Sequence, residues 1–211
     1  MGGEISNAAK SNGNTKPAMA SHEGGRARHT APLLNSRQQD LLQKSWHHSY
    51  SSGLDSVGAR IFKKIFVTEP AVARIFGLDH VDVKDLTFNP SFQPHADRFT
   101  KALIFAVDNI QNAEKISQYA QALGASHVKL ESRGFKMVYW DVFAEAMTEC
   151  AIDWEDGVVY CSEAMHAWRL LVSFFVNQMR IGFEQQRRED AAQTGHTSDD
   201  HADAYIPEVA N

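Results

Sequence analysis

Two histidines stand where a histidine is costly. His95 falls in helical step with Phe99, Ala102, Leu103, Ala106, Val107 and Ile110, and His127 with Ile116, Tyr119, Ala120 and Leu123. An imidazole on such an apolar face gives up water, so its ring nitrogens need other partners. A single residue of this kind reads most simply as a core histidine bonded to a main-chain carbonyl. Two of them, on separate helices and both turned inward, suit a metal, because neutral imidazole is a good ligand for iron. An iron porphyrin between the helices would account for both rings and fill the space between them. Phe62, Phe66, Phe76, Phe99 and Phe143 would then line its apolar faces. On these residues alone a haem-free helical bundle stays open as the other reading.

The segments that must position these rings are all helical in pattern. Ser36 with Gln39 reads as a capping box opening a helix whose apolar side holds Leu41, Leu42, Trp46 and Tyr50, with Gly53 breaking it. Val57, Ile61, Phe62, Ile65 and Phe66 form a second stripe, ended by Glu69-Pro70. A short turn through Ile75-Phe76-Gly77 and a polar loop lead to Asn89-Pro90, read as N-cap and first helical position of the His95 helix. The His127 segment follows. After Gly134 come a helix with Trp140, Phe143, Met147 and Cys150, then a longer one with Cys161, Met165, Trp168, Val172, Phe175, Val176, Met179 and Phe183. No segment alternates as a strand does, so the fold class is all-α. Cys150 and Cys161 fall at the end of one helix and the start of the next, and are read as reduced core thiols.

Composition sets the frame. Residues 1–35 are poor in large apolar side chains and are expected to be a disordered arm, with a folded domain over 36–184 and a disordered acidic tail over 185–211. Apolar residues make up 43% of the 211, enough for a core that buries a ligand. The net charge of -5, with both signs interspersed, gives no nucleic-acid footprint. No run approaches the roughly 18–20 apolar residues of a membrane span, the first thirty residues lack the apolar stretch of a secretory signal, and two cysteines make no disulfide framework. The expected location is cytoplasmic. Met1-Gly2-Gly3-Glu4-Ile5-Ser6 fits the N-myristoylation pattern, with Lys10, Lys16, Arg26 and Arg28 on the arm behind it. Acylated at Gly2, the chain would make weak, reversible membrane contact, since one acyl group anchors only marginally.

The order Trp46, Phe62, Pro70, Phe76, His95, Leu123-Gly124-x-x-His127, Gly134-Phe135, Trp168 resembles a globin over residues 36–184, of the neuroglobin and invertebrate kind. The resemblance implies the globin fold and haem b as cofactor. It gives His127 the role of proximal histidine bonded to iron and His95 that of distal histidine. Phe76 matches the phenylalanine wedged against the haem, Phe62 and Phe99 match the walls of the ligand pocket, and Arg98, near His95, is a candidate propionate partner. Three departures stand out. Phe62 and Phe99 are large, which predicts a tight ligand space. Pro94 directly precedes His95 and removes a helical donor. The stretch from His127 to Gly134 is longer than in vertebrate oxygen carriers.

The resemblance implies reversible binding of oxygen and other diatomic gases at ferrous iron, in a sensor, store or transport role. His95 would either hydrogen-bond the gas or itself be the sixth ligand. The competing function is haem redox chemistry (nitric oxide dioxygenation, nitrite reduction or superoxide production), fed by an external reductase because the chain shows no flavin or nicotinamide domain. Of the other histidines, His47 and His48 read as solvated, and His22, His29, His196 and His201 lie in the tails.

Overall fold

The computed structural model describes residues 32–51, 56–153 and 162–199, which belong to one compact unit. Gly2 and its basic neighbours, Gly53 and Cys161 lie outside the described residues, so the acylation motif and the cysteine pairing receive no structural description. Seven α-helices are described: α1 (Ser36–Ser51), α2 (Val57–Thr68), α3 (Pro70–Ile75), α4 (Gln93–Asp108), α5 (Ala113–Ser126), α6 (Tyr139–Asp153) and α7 (Ser162–Asp199). Two short 3-10 segments, Leu86–Phe88 and Val128–Arg133, precede α4 and follow α5. Among the described residues there is no strand, as the apolar spacing predicts.

Helix starts follow the polar side chains, with two shifts from expectation. The capping box at α1 is Asn35 with Gln38, one residue earlier than Ser36 with Gln39. The Asn35 side chain accepts from the Gln38 N–H at 2.9 Å, and the Gln38 side chain accepts from the Asn35 N–H at 3.0 Å. Asn89-Pro90 does not begin the His95 helix. Asn89 Oδ1 accepts from the Ser91 N–H at 2.9 Å, closing a turn of its own, and α4 starts at Gln93. Pro94 therefore sits in the first turn, where its missing N–H breaks no helical bond.

The core draws on α2, α4, α5, α6 and α7, with Ile61, Ile65, Ala96, Ile116, Ala151 and Ala167 shut off from solvent. Trp46 of α1 packs on Trp168 of α7 with ring centroids 6.0 Å apart. Two crossings need glycine. A Cβ at Gly124 would lie 1.9 Å from the Met179 carbonyl oxygen, and one at Gly182 2.0 Å from that of Gln121, so α5 and α7 approach backbone to backbone at both points. Gly58 meets Ala96 in the same way between α2 and α4. The left-handed Gly134 (φ 90°) closes the 3-10 segment after His127.

The domain limits differ from those expected. Leu34 is buried in the core, so the folded unit begins before residue 36. Helix α7 runs on to Asp199, so residues 185–199 are helical where composition reads as a disordered tail. Extending an existing helix avoids the nucleation cost, and paired side chains one turn apart support it: Gln186 with Asp190 at 2.8 Å, Gln185 with Glu189 at 3.1 Å and Arg188 with Glu184 at 3.3 Å.

Candidate functional site

His127 terminates α5 as its C-cap, at the end placed against α7 by Gly124. Its ring Nδ1 lies 2.7 Å from the Leu123 carbonyl oxygen, one helical turn back. A carbonyl only accepts, so Nδ1 carries the proton and donates, and Nε2 is left as a bare lone pair. This is the arrangement that orients a metal-binding histidine and fixes its tautomer. Trp140 and Phe135 flank the ring, with centroids 5.9 and 5.4 Å away.

Across the interior, the His95 ring meets the edge of Phe76 at 4.7 Å between centroids. Neither ring nitrogen of His95 has a hydrogen-bond partner among the described residues, so the carbonyl-bonded core histidine considered from the sequence does not describe it. Burial pushes the His95 pKa down, and the nearby charges of Arg98 and Arg133 push it further. Burial also lowers that of His127, against the opposing pull of the Leu123 carbonyl, with Lys129 adding to the depression. Both rings are held toward the neutral form in which imidazole binds metal.

Between the histidines lies a cavity of about 510 Å³, lined mainly by apolar side chains. This is within the range of roughly 300–1,000 Å³ usual for cofactor and small-molecule sites. Seven of the eight residues singled out from the sequence line it: His95, His127, Phe62, Phe76, Phe99, Phe143 and Arg98. Phe66 does not. It stands behind Phe62 and Phe76, at 5.8 and 5.7 Å between centroids. Phe62, Phe99 and Phe143 meet edge to face at 5.6, 5.4 and 4.9 Å, forming one closed aromatic wall.

Sequence reasoning missed two contributions. Trp140 lines the cavity beside His127, yet as one more apolar residue on a helix it carries no signal of its own. Lys129 and Arg133 also line it, with Arg98 the third cation at the wall. They come from the segment that reads only as a long connection. In the structure it forms a 3-10 helix, Val128–Arg133, from which both side chains reach the cavity.

The parts fit a haem. A histidine offers one bare nitrogen from a fixed ring, a second histidine without a partner sits on the other side, aromatic walls suit a flat macrocycle, and cations with no carboxylate among them suit the propionates. Among the described residues no cluster of three or more His, Cys, Asp or Glu offers a metal site built from protein alone.

Comparison with known proteins agrees with this geometry. The family model described as Globin matches residues 59–179, more than half of the chain. The globin-related protein glb-13 of Caenorhabditis elegans is 34% identical over 167 residues, 79% of this chain, and the chain spans 58% of that relative's length. In structure, the chain is similar to a hexacoordinated haem protein of an anhydrobiotic tardigrade (TM-score 0.64, 20% identity, 72% of this chain and 96% of the other). It is also similar to a hexa-coordinate haemoglobin of Drosophila melanogaster studied for cyanide binding (TM-score 0.60, 17% identity, 69% and 93%). At these identities the two structures speak for the fold. This chain is a member of the globin family.

Proposed function

We propose that the protein holds haem b in this cavity and binds diatomic gases there, oxygen first among them, as a sensor, store or transport protein. His127 would be the permanent iron ligand, and His95 the sixth ligand when no gas is present. The observation that carries the reading is the Leu123 carbonyl on His127 Nδ1, which leaves Nε2 free and aimed by its own helix. When bound, the haem supplies a ferrous iron able to take up a small gas molecule. The chain's residues supply the rest. His127 anchors, Arg98, Lys129 and Arg133 neutralise the propionates, and the wall of Phe62, Phe99 and Phe143 excludes water and bulky molecules.

Three features support His95 as the sixth ligand over His95 as a hydrogen-bond donor alone. Its ring nitrogens have no hydrogen-bond partner among the described residues, so binding a metal would break no existing bond. The aromatic wall crowds the space that a resting water would take. Two structural neighbours, from the tardigrade and from Drosophila melanogaster, are hexacoordinate haem proteins. Gas would then compete with His95, and apparent affinity would fall by the fraction of protein in which the ring is away. The test is the deoxy ferrous spectrum of the wild type beside His95→Leu. Sharp, split visible bands that collapse to one broad band in the variant are expected. A broad band already present in the wild type would overturn coordination by His95.

A further inference from the structure

Thr100 is the one polar side chain buried in the core among the described residues, and nothing above gives it a part. Its hydroxyl joins the backbones of two helices, α2 and α4. It accepts the Gly58 N–H at 3.0 Å and donates to the Ala96 carbonyl at 2.9 Å. Gly58 is in the first turn of α2, where a main-chain N–H has no partner in its own helix. Ser56, the N-cap, serves Ala59 instead, so Thr100 completes the cap of α2 from a different helix.

The contact leaves no slack. A Cβ on Gly58 would lie 2.1 Å from the Ala96 oxygen and 2.7 Å from Thr100 Oγ1, so α2 and α4 touch backbone to backbone there. Ala96 follows His95 directly. The point at which α4 is fixed is thus one residue from the imidazole that faces the cavity. On the other side of His95 the first turn of α4 is held by Phe92, fully buried against Phe62 and Phe66, and by Gln93, whose side chain donates to the Thr87 carbonyl. Phe92 provides no side-chain cap, and its carbonyl accepts from both His95 N–H (3.0 Å) and Ala96 N–H (3.2 Å).

We propose that Thr100 is a positioning residue for His95: its hydroxyl pins α4 to the start of α2 and thereby sets how far the imidazole reaches over the cavity. With the hydroxyl in place α4 cannot slide along α2 at Ala96, so the backbone that carries His95 is fixed next to this contact. The proposal rests on the reading that His95 faces the gas site. It does not require that His95 coordinates the iron.

The test is Thr100→Val, which keeps the shape and removes the hydroxyl, with Thr100→Ser as the rescue that restores it. If the valine protein does not fold, Thr100→Cys, with a weakly bonding thiol, gives the graded form. Each is read on haem-loaded protein in two ways: the six-coordinate fraction of the deoxy ferrous form, and the C–O stretching frequency of the carbon monoxide complex, which senses the His95 ring whether or not that ring coordinates. Loss of one hydrogen bond should shift the His95 on–off equilibrium roughly three- to tenfold. It should also move the C–O band, with serine returning both toward wild type. Neither change should occur in a His95→Leu background. A wild type that is five-coordinate sinks the coordination reading alone, and the C–O band then decides for Thr100. Faster exchange of the Gly58 amide in Thr100→Val with both haem readouts unmoved, or shifts of equal size without His95, would make Thr100 a purely structural cap and overturn the proposal.

Discussion

At the residue scale the site depends on which nitrogen of His127 is bare. The sequence places His127 on the inner face of its helix, but a main-chain carbonyl has no letter of its own, so the Leu123 bond to Nδ1 could not be read from it. Likewise, apolar spacing shows that Phe62, Phe99 and Phe143 face inward but not that their rings close on one another. If His127 serves only as anchor, its imidazole is replaceable. We expect His127→Gly to purify largely without haem, and millimolar free imidazole to restore haem retention and a low-spin spectrum, because the space left by the ring is bounded by Trp140 and Phe135 and stays open. Haem retention by the glycine variant without imidazole, measured by Soret absorbance after gel filtration, would point to another ligand.

At the element scale, the helices themselves were legible and their close approaches were not. Period and punctuation reveal that α2, α4 and α7 exist, since each carries a clear apolar stripe. They misplace the start of α4, because Asn89 serves a turn as readily as a helix cap. Leu123-Gly124 is recognisable as part of a family pattern, yet its reason is packing: no side chain fits between Gly124 and the main chain at Met179. The same holds for Gly182 against Gln121. Backbone cannot yield as a flexible side chain does, so a methyl at either position must push α5 and α7 apart. Gly124→Ala and Gly182→Ala are each expected to cost about 1–3 kcal/mol or more in denaturant-induced unfolding of the haem-loaded protein. Gly124→Ala should also speed haem loss to an acceptor globin, since His127 lies three residues further along the same helix. An unchanged unfolding midpoint for either variant would mean that the two helices are less tightly apposed than described.

At the scale of the whole molecule, the contrast is between the part of α7 that closes the core and the part that only extends it. Composition set the folded limit at residue 184, and the helix runs to Asp199, because composition measures burial potential and a helix can continue on local pairs alone. Burial still marks where the energy lies. Phe183 is 1% exposed, and its ring meets Trp140 edge to face at 5.4 Å and Phe135 at 5.9 Å, the same two rings that flank His127. Beyond it, Arg187 reaches Glu131 of the 3-10 segment only at 3.9 Å, and residues 191–193 are exposed. A surface ion pair at that distance contributes little. A chain ending at residue 190 should therefore keep its haem and unfold within about 0.5 kcal/mol of the full chain. A chain ending at residue 182 loses the Phe183 ring, at a cost of about 3–5 kcal/mol for a buried phenylalanine, and the support of Trp140 behind the proximal histidine with it. The second truncation should lose haem faster as well as unfold earlier, and Phe183→Ala in the full chain should reproduce both effects. If the truncation at 190 also lost haem, the extension of α7 would be holding the Val128–Arg133 segment in place, and the line between core and extension would have to move outward past Arg187.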